Sequence, residues 1–162
     1  MEHRIATVGV YGATLARFLH ALTASEVTLV LDVRQRRGVR GPEYSWANSK
    51  RLQNALADAE IGYRHLPQLA PTTELRQLQY AIDDAAGVGK RSRKELAPEY
   101  AARYRDEILD HVDLGELVLD TLPAAGIAAL MCVERDPEAC HRSLVAERLA
   151  ADCGFEVLDL RP

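Results

Sequence analysis

The stretch VTLVLDV, residues 27–33, is almost entirely apolar and rich in β-branched side chains. A strand with one face in water alternates polar and apolar residues. A strand of a parallel sheet is covered on both faces and forms a nearly continuous apolar run. The stretch therefore predicts an interior strand of a parallel sheet. A second run of this kind, IAALMCV at residues 127–133, predicts another interior strand.

Shorter apolar runs and helical spacing around these two stretches predict the rest of the fold. Three further strands are predicted by RIATVGV at residues 4–10, IGYRHLP at 61–67 and FEVLDL at 155–160. Helices are predicted over residues 14–25, 49–61, 72–122 with a break at 87–90, and 143–154. Strands that alternate with helices favour an α/β fold. We expect a single three-layer domain, residues 1–162, with a mostly parallel central sheet flanked by helices.

The composition is that of an ordinary globular protein, with 48% hydrophobic and 27% charged residues in a chain of 162. This length suffices for one domain with a sizeable core. The formal net charge of -4 argues against a protein that coats nucleic acid nonspecifically, but it leaves room for a local basic groove.

Cysteine usage and hydropathy indicate where the protein resides. Three cysteines give no disulfide framework and favour reduced thiols in the cytosol. The N-terminal sequence MEHRIATVGV contains no apolar stretch of the length that a signal peptide needs. No run approaches the roughly 18 apolar residues that cross a bilayer. We therefore expect a soluble cytoplasmic protein with no membrane partner.

Polar or reactive side chains follow the predicted strands, and ligands of open parallel sheets bind beyond the carboxyl ends of the strands. The first four strands are followed by Tyr11 and Gly12, by Asp32 and Arg34, by His65, and by Cys132 and Glu134. The last strand gives Asp159 and Arg161. We expect one cleft at this edge of the sheet to be lined by Asp32, Arg34, Cys132, Glu134, His141 and Arg142.

The loop DVRQRRGVRG contains four arginines within seven residues: Arg34, Arg36, Arg37 and Arg40. Guanidinium groups match the oxygens of phosphate or carboxylate, so the loop is interpreted as an anion clamp or as a solvated basic loop. Asp32 pairs with an arginine, orients a substrate hydroxyl, or forms a structural salt bridge. The second basic run, GKRSRKE at residues 89–95, is interpreted as a solvated loop or a helix start.

The segment ERDPEACHRS follows the second interior strand and combines a helix start with reactive side chains. Asp136, followed by proline, predicts the N-cap and the first helical residue. Cys140, His141 and Arg142 then lie in or just after the first turn. The helix dipole and nearby cations favour a thiolate there, and a helix start with an arginine favours a bound anion.

Three chemical interpretations of these side chains remain open. In the first, Cys132 or Cys140 is a nucleophile with a histidine as its base. Adjacent residues on a helix point about 100° apart, which disfavours a Cys140–His141 pair and leaves His65 or His141 to serve Cys132. In the second, Cys132, Cys140 and His141 bind zinc, but the seven-residue gap between the cysteines is not a usual zinc spacing, so no metal is predicted. In the third, Cys140 is a small buried side chain, and His141 and Arg142 bind an anion.

The segments TVGVYG, LVLDVR, IGYRHLPQL and ALMCVERDPEACHRSLVAERL together resemble the domain of unknown function 488 family over nearly the whole chain. The most specific part is residues 132–142 with the Cys-His-Arg triplet. Family members often carry Gly-Tyr-Ser after the first strand, where this chain has Gly-Val-Tyr-Gly. The resemblance implies a compact α/β fold and no particular reaction, although some members carry a DNA-repair label. It implies a site at Asp32, Arg34, Cys132, Glu134, Cys140, His141 and Arg142.

The sequence favours an enzyme, a hydrolase or transferase, that acts on a nucleotide, nucleic acid or other phosphorylated molecule without a cofactor. Its candidate catalytic residues are Asp32, Cys132, Glu134, Cys140 and His141. Its candidate substrate-binding residues are Tyr11, Arg34, His65 and Arg142, and we expect Arg34 and Arg142 to share one anion. Two alternatives are a cysteine-dependent thiol or sulfur-transfer enzyme and a noncatalytic module that binds nucleic acid or protein.

Overall fold

The computed structural model describes residues 3–89 and 91–162, and it contains a five-stranded sheet. The strands are β1 (Arg4–Val8), β2 (Val27–Asp32), β3 (Gly62–His65), β4 (Ile127–Met131) and β5 (Glu156–Asp159). Their order across the sheet is β3-β2-β4-β1-β5, and every neighbouring pair is parallel. The predicted three-layer α/β fold is confirmed.

Helices join and flank these strands. They are α1 (Leu15–Ala24), α2 (Ser49–Asp58), α3 (Thr73–Ala85), α4 (Pro98–Glu107), α5 (Leu114–Leu119) and α6 (His141–Cys153). The predicted helical segment 72–122 thus forms α3, α4 and α5. The break after α3 is longer than predicted, and Lys90, which belongs to the predicted break, lies outside the described residues. Within the described ranges, the helices are too short or too polar to cross a membrane.

The two apolar stretches that open the sequence analysis form the interior of the sheet, as predicted. β2 lies between β3 and β4, and β4 lies between β2 and β1. Leu31 and Leu130 are fully buried, and burial of such a side chain contributes about 1.5–3 kcal/mol. The edge strands β3 and β5 have only four residues each and remain partly exposed. Short edges of this kind limit pairing with other chains.

Local sequence signals fix several helix ends. The Thr14 hydroxyl accepts a hydrogen bond from the Arg17 amide at the start of α1, and the Thr72 hydroxyl accepts one from the Leu75 amide at the start of α3. Caps of this kind typically stabilise a helix by about 1 kcal/mol. Helix α6 ends at Gly154, whose φ of 70° is the left-handed conformation that glycine adopts without strain.

Gly9 lets the end of β1 approach the segment that follows β4. A Cβ atom at this position would lie 2.0 Å from the Glu134 carbonyl oxygen, which no side chain tolerates. The next two amides, of Val10 and Tyr11, both donate hydrogen bonds to the Val133 carbonyl, at 3.1 and 2.9 Å. This close approach holds Tyr11 beside the residues that follow β4.

Candidate functional site

A cleft of about 760 Å³ lies at the carboxyl ends of β1, β2 and β4, where parallel sheets bind ligands. Its described lining comes from the segments after these strands, from α3, from Gly89 and residues 91–96, and from Pro71, Tyr100 and His141. Six arginines line it: Arg34, Arg36, Arg40, Arg76, Arg91 and Arg93. Among the described lining residues, Glu134 is the one acid. We call this site the arginine cleft.

The structure brings some of the predicted site residues into the arginine cleft and leaves others out. Those that line it are Tyr11, Arg34, Cys132, Glu134 and His141. Those that do not line it are Asp32, His65, Cys140 and Arg142. The His65 ring donates a hydrogen bond from Nε2 to the backbone carbonyl of Arg34 at 2.8 Å, so it orders the loop after β2.

Asp32 and Arg34 form a buried ion pair at the end of β2. The Asp32 carboxylate accepts hydrogen bonds from Arg34 Nε at 2.9 Å and Nη2 at 2.8 Å, and Nη1 donates to the Ala47 carbonyl. The Tyr63 hydroxyl also donates to Asp32. Each guanidinium nitrogen of Arg34 thus has a protein partner, and the pair is the salt bridge that the sequence analysis left open for Asp32. The anion-binding role of Arg34 and the catalytic role of Asp32 stay predictions.

Arg142 is fully buried, and two of its guanidinium nitrogens bind backbone carbonyls. Its Nη1 donates to the Glu134 carbonyl at 2.7 Å, and its Nη2 donates to the Arg135 carbonyl at 3.2 Å. These bonds tie the start of α6 to the segment after β4. The geometry gives no support to an anion shared by Arg34 and Arg142, because Arg142 does not line the arginine cleft and Arg34 is paired with Asp32.

A second buried ion-pair network centres on Arg93, which the sequence analysis assigned to a solvated loop or a helix start. Arg93 Nη1 contacts Asp83 at 2.7 Å, and Nη2 contacts Glu134 at 2.9 Å. Its Nε and Nη2 also donate to the Ala139 carbonyl. Asp83 accepts a further hydrogen bond from Gln79. This arginine joins α3, the segment after β4 and the turn before α6, and it holds the Glu134 carboxylate at the edge of the cleft.

Cys132, Cys140 and His141 form a buried group that we call the thiol–imidazole cluster. His141 Nδ1 lies 3.9 Å from Cys132 Sγ and 3.8 Å from Cys140 Sγ. On the other side of the ring, Nε2 donates to the Val33 carbonyl at 2.8 Å. The cluster thus joins the ends of β2 and β4 to the start of α6.

The contact between Cys140 and His141 corrects the sequence-based argument against this pair. That argument required both residues to lie within the helix. The predicted start at Asp136 is instead a short 3-10 turn, Pro137–Ala139, and the Asp136 side chain pairs with Arg161 at 3.0 Å. Cys140 is the extended residue that precedes α6, with φ -136° and ψ 145°. Because Cys140 is not helical, its side chain does not point 100° away from that of His141, as it would within a helix, and it reaches the imidazole of its neighbour.

Comparison with known proteins places the chain in a family. The sequence profile described as "Domain of unknown function DUF488" matches residues 14–149. The chain belongs to the DUF488 family. No curated protein and no solved structure matches it. The matched range includes β2, β3, β4, the cluster and the Cys-His-Arg triplet, and it begins after the turn that departs from the family pattern.

The thiol–imidazole cluster of this DUF488 protein has strongly perturbed acidities. A hydrogen bond with Cys140, together with burial, raises the pKa of Cys132 well above its ordinary value. Burial also opposes ionisation of Cys140, but the hydrogen bond with Cys132 and the charges of His141 and Arg142 outweigh it and lower the Cys140 pKa well below its ordinary value. Burial would lower the pKa of His141, but the adjacent Cys140 thiolate raises it. Cys140 is thus the cysteine that the site favours as a thiolate.

The remaining arginines give the cleft its positive potential. Arg36, Arg40 and Arg91 are exposed and Arg76 is half-buried. Arg91 contacts Glu43 at 3.2 Å and lies over the rings of Tyr11 and Tyr44. Arg76 donates to Gln35 and Tyr80. Such a concentration of one charge in a concave site attracts anions even though the chain as a whole is acidic.

The sequence signals for the buried arginine partners were weak. Asp83 lies in the middle of a predicted helix, and Gln79 precedes it by one turn, which is typical of a solvated helix face. Asp83, Arg93 and Glu134 are far apart in the sequence, so nothing local marks them as one network. The exposed arginines do have a sequence signal, because Arg36 and Arg40 lie with Arg34 in the arginine-rich loop after β2.

Proposed function

We propose that this DUF488 protein is an enzyme, a hydrolase or transferase, that acts on a nucleotide or another phosphorylated small molecule. The observation that carries the proposal is the arginine cleft, whose described lining has six arginines and a single acid together with Cys132 and His141. A volume of about 760 Å³ lies within the range of roughly 300–1,000 Å³ that is typical of small-molecule sites. The cleft therefore suits a ligand of nucleotide size with several negative charges.

The arginines differ in their capacity to bind that ligand. Arg34 and Arg93 are occupied by buried carboxylates. Among the described residues, Arg36 and Arg40 take part in no salt bridge, and both side chains are exposed at the cleft. Their guanidinium groups are the ones free to form paired hydrogen bonds with phosphate oxygens. Arg36 and Arg40 thus take the role that the sequence assigned to Arg34 and Arg142.

Calorimetric titration tests the proposal. Inorganic phosphate and a mononucleotide are titrated against the wild type, Arg36→Gln and Arg40→Gln. A charge-assisted hydrogen bond contributes about 1.5–3 kcal/mol, so each substitution should weaken binding by at least roughly tenfold. Arg17→Gln on α1 is the matched control, because Arg17 is also exposed and does not line the cleft. Absence of binding to the wild type, or equal binding by all variants, contradicts the proposal.

The thiol–imidazole cluster supports a second candidate function, a cysteine-dependent thiol or sulfur-transfer enzyme. The observation in its favour is the position of His141 Nδ1, within 4 Å of two sulfur atoms. Cys132 lines the cleft and Cys140 does not, so Cys132 is the sulfur that a substrate would meet first. Iodoacetamide labelling followed by mass spectrometry tests this function. Modification of Cys132 or Cys140 ahead of the more exposed Cys153 supports it, and labelling of Cys153 alone argues against it.

Arg36 and Arg40 would also be able to bind the phosphates of a nucleic-acid strand. This agrees with the DNA-repair label that some members of the family carry. This version of the proposal requires that an oligonucleotide bind more tightly than a mononucleotide, with an affinity that falls steeply as salt increases. Binding of either ligand without any turnover would instead identify a noncatalytic module. Equal affinity for the two ligands favours the small-molecule substrate.

A further inference from the structure

The thiol–imidazole cluster has the composition and the spacing of a metal site. Cys132 Sγ, Cys140 Sγ and a ring nitrogen of His141 all lie within 4.8 Å of one another. We infer that the cluster binds Zn²⁺, with two thiolates and the His141 Nδ1 atom as its protein ligands. Thiolate and imidazole are the ligands that zinc takes most often in proteins. The inference concerns the chain's own residues and does not depend on which substrate the cleft accepts.

The two sulfur–nitrogen distances in the cluster are close to those of a tetrahedral site. Zinc binds thiolate at about 2.3 Å and imidazole at about 2.0–2.1 Å, so a sulfur and a nitrogen on one tetrahedral ion lie about 3.6 Å apart. The observed separations are 3.9 Å to Cys132 and 3.8 Å to Cys140. The single lone pair of Nδ1 accepts a good hydrogen bond from only one thiol. Nearly equal distances to two sulfurs are better explained by a common centre.

The second hydrogen bond of His141 is the one that a metal-binding histidine needs. Its Nε2 donates to the Val33 carbonyl at 2.8 Å, which places a proton on Nε2 in the neutral ring and leaves the Nδ1 lone pair directed at the sulfurs. Metal-bound histidines almost always donate their other ring N–H to a carbonyl, a carboxylate or water, and this bond fixes the ring orientation. The ring of Tyr104 packs against His141 with centroids 5.4 Å apart and restrains it further.

The fold also removes the objection raised by the sequence spacing. Zinc knuckles take closely spaced cysteines from a single turn, and the seven residues between Cys132 and Cys140 do not fit that pattern. Here the first ligand follows β4, and the 3-10 turn Pro137–Ala139 brings the chain back so that Cys140 and His141 begin α6. The ligands are thus positioned by a strand end and a helix start.

Charge favours a divalent cation at this depth. In the bound state both cysteines are thiolates and His141 is a neutral imidazole, and the protons displaced from the cluster pass to solvent, so that two negative charges meet the two positive charges of the ion. The nearby cations Arg34 and Arg93 are already neutralised by buried carboxylates, whereas Arg142 binds backbone carbonyls and keeps its charge beside the cluster. The complex of Zn²⁺ with two thiolates and one neutral imidazole is therefore uncharged, which suits a site from which water is largely excluded.

A site with three protein ligands has a fourth position, and the structure indicates where it faces. Cys132 and His141 line the arginine cleft, whereas Cys140 lies behind them. The fourth position is therefore on the cleft side, where a water molecule or a substrate oxygen can reach it. Three protein ligands and an open position are typical of catalytic zinc, whereas structural zinc is usually closed by four.

Cobalt titration of the metal-stripped, reduced full-length protein tests the inference. Co²⁺ bound by thiolates gives a charge-transfer absorption in the near ultraviolet and strong visible bands when the site is tetrahedral. We expect both features to saturate at one Co²⁺ per chain and to disappear when Zn²⁺ is added. Absence of the charge-transfer band in the wild type overturns the inference, and this result does not depend on the folding of any variant.

Variants then locate the site. Cys140→Ser and His141→Ala should weaken binding by more than about 100-fold, since even loss of an outer-shell partner costs about 10–100-fold. Cys153→Ser removes a thiol outside the cluster and should bind Co²⁺ as the wild type does. Retention of the band in Cys140→Ser, or its loss in Cys153→Ser, contradicts the assignment. Arg36→Gln and Arg40→Gln should keep the band, so failure of the anion-site proposal and failure of the metal inference give different results.

Discussion

Arg34, Arg93 and Arg142 lie buried around the candidate site, whereas Arg36 and Arg40 stand exposed in its cleft. The buried arginines include those of the two triplets that stand out in the sequence, Asp-Val-Arg and Cys-His-Arg. Each binds carboxylates or backbone carbonyls of the protein itself. The exposed arginines belong to no such motif and have guanidinium groups available to a ligand. The comparison teaches that a motif arginine can be held by the protein's own acceptors, and it predicts that the exposed arginines are the ones that contact the ligand.

The largest loss of stability should come from breaking the Asp32–Arg34 ion pair, the most buried of the ion pairs described above. Asp32→Ala leaves the Arg34 guanidinium as an uncompensated buried charge, and we expect it to lower the free energy of unfolding by about 3–5 kcal/mol. Urea denaturation measures this loss. Tyr63→Phe, which removes only one hydrogen bond to Asp32, should cost about 1 kcal/mol. A loss below about 1 kcal/mol in Asp32→Ala would show that Arg34 turns outward, and would remove the distinction between the buried and the exposed arginines.

A smaller loss of stability is expected when Arg142 is replaced. Arg142→Lys retains the charge but cannot reach both the Glu134 and the Arg135 carbonyl, so we expect a loss of about 1–3 kcal/mol in the free energy of unfolding. Phosphate affinity of the folded protein should stay within a factor of about two. Urea denaturation and calorimetry on one preparation separate these results. Unchanged stability together with weakened phosphate binding would return Arg142 to the ligand-binding role that the sequence predicted.

The smallest effect on stability is expected at the exposed arginines. Arg36→Gln and Arg40→Gln should change the free energy of unfolding by no more than about 0.5 kcal/mol, as is usual for surface substitutions. These same variants should show the roughly tenfold or larger loss of phosphate affinity described above. If a variant unfolds more easily and binds phosphate normally, its arginine has a structural role like that of the buried arginines.

The sheet could be predicted from the sequence because its determinants are local. The continuous apolar runs at 27–33 and 127–133 are sufficient to identify strands covered on both faces, and β2 and β4 are the interior strands observed. The start of α6 was placed too early for a local reason as well. An aspartate followed by proline begins a 3-10 turn as readily as an α-helix, and the extended conformation of Cys140 has no sequence signature.

The roles of the arginines could be predicted only in part. The sequence left open an ion pair between Asp32 and an arginine, which is the Asp32–Arg34 pair observed, whereas Arg93 depends on a Glu134 carboxylate that is remote in sequence. Arg34 is held by the Ala47 carbonyl as well as by Asp32, and Arg93 is held by Glu134 from more than forty residues away. A short sequence pattern shows that an arginine is present near a strand end, but not whether its guanidinium group is directed inward or outward. That direction is decided by which acceptors the tertiary fold leaves within reach.

Gly9 has a consequence for how this part of the protein can vary. Its backbone conformation is open to any amino acid, yet an added methyl group would collide with the Glu134 carbonyl oxygen, which Arg142 also holds. Gly87 is the reverse case, with a φ of 71° and free space around the position. In a saturation library, position 87 should accept asparagine and other residues that tolerate this conformation, whereas position 9 should accept none. The most constrained position of the turn is therefore one that contributes no side chain at all.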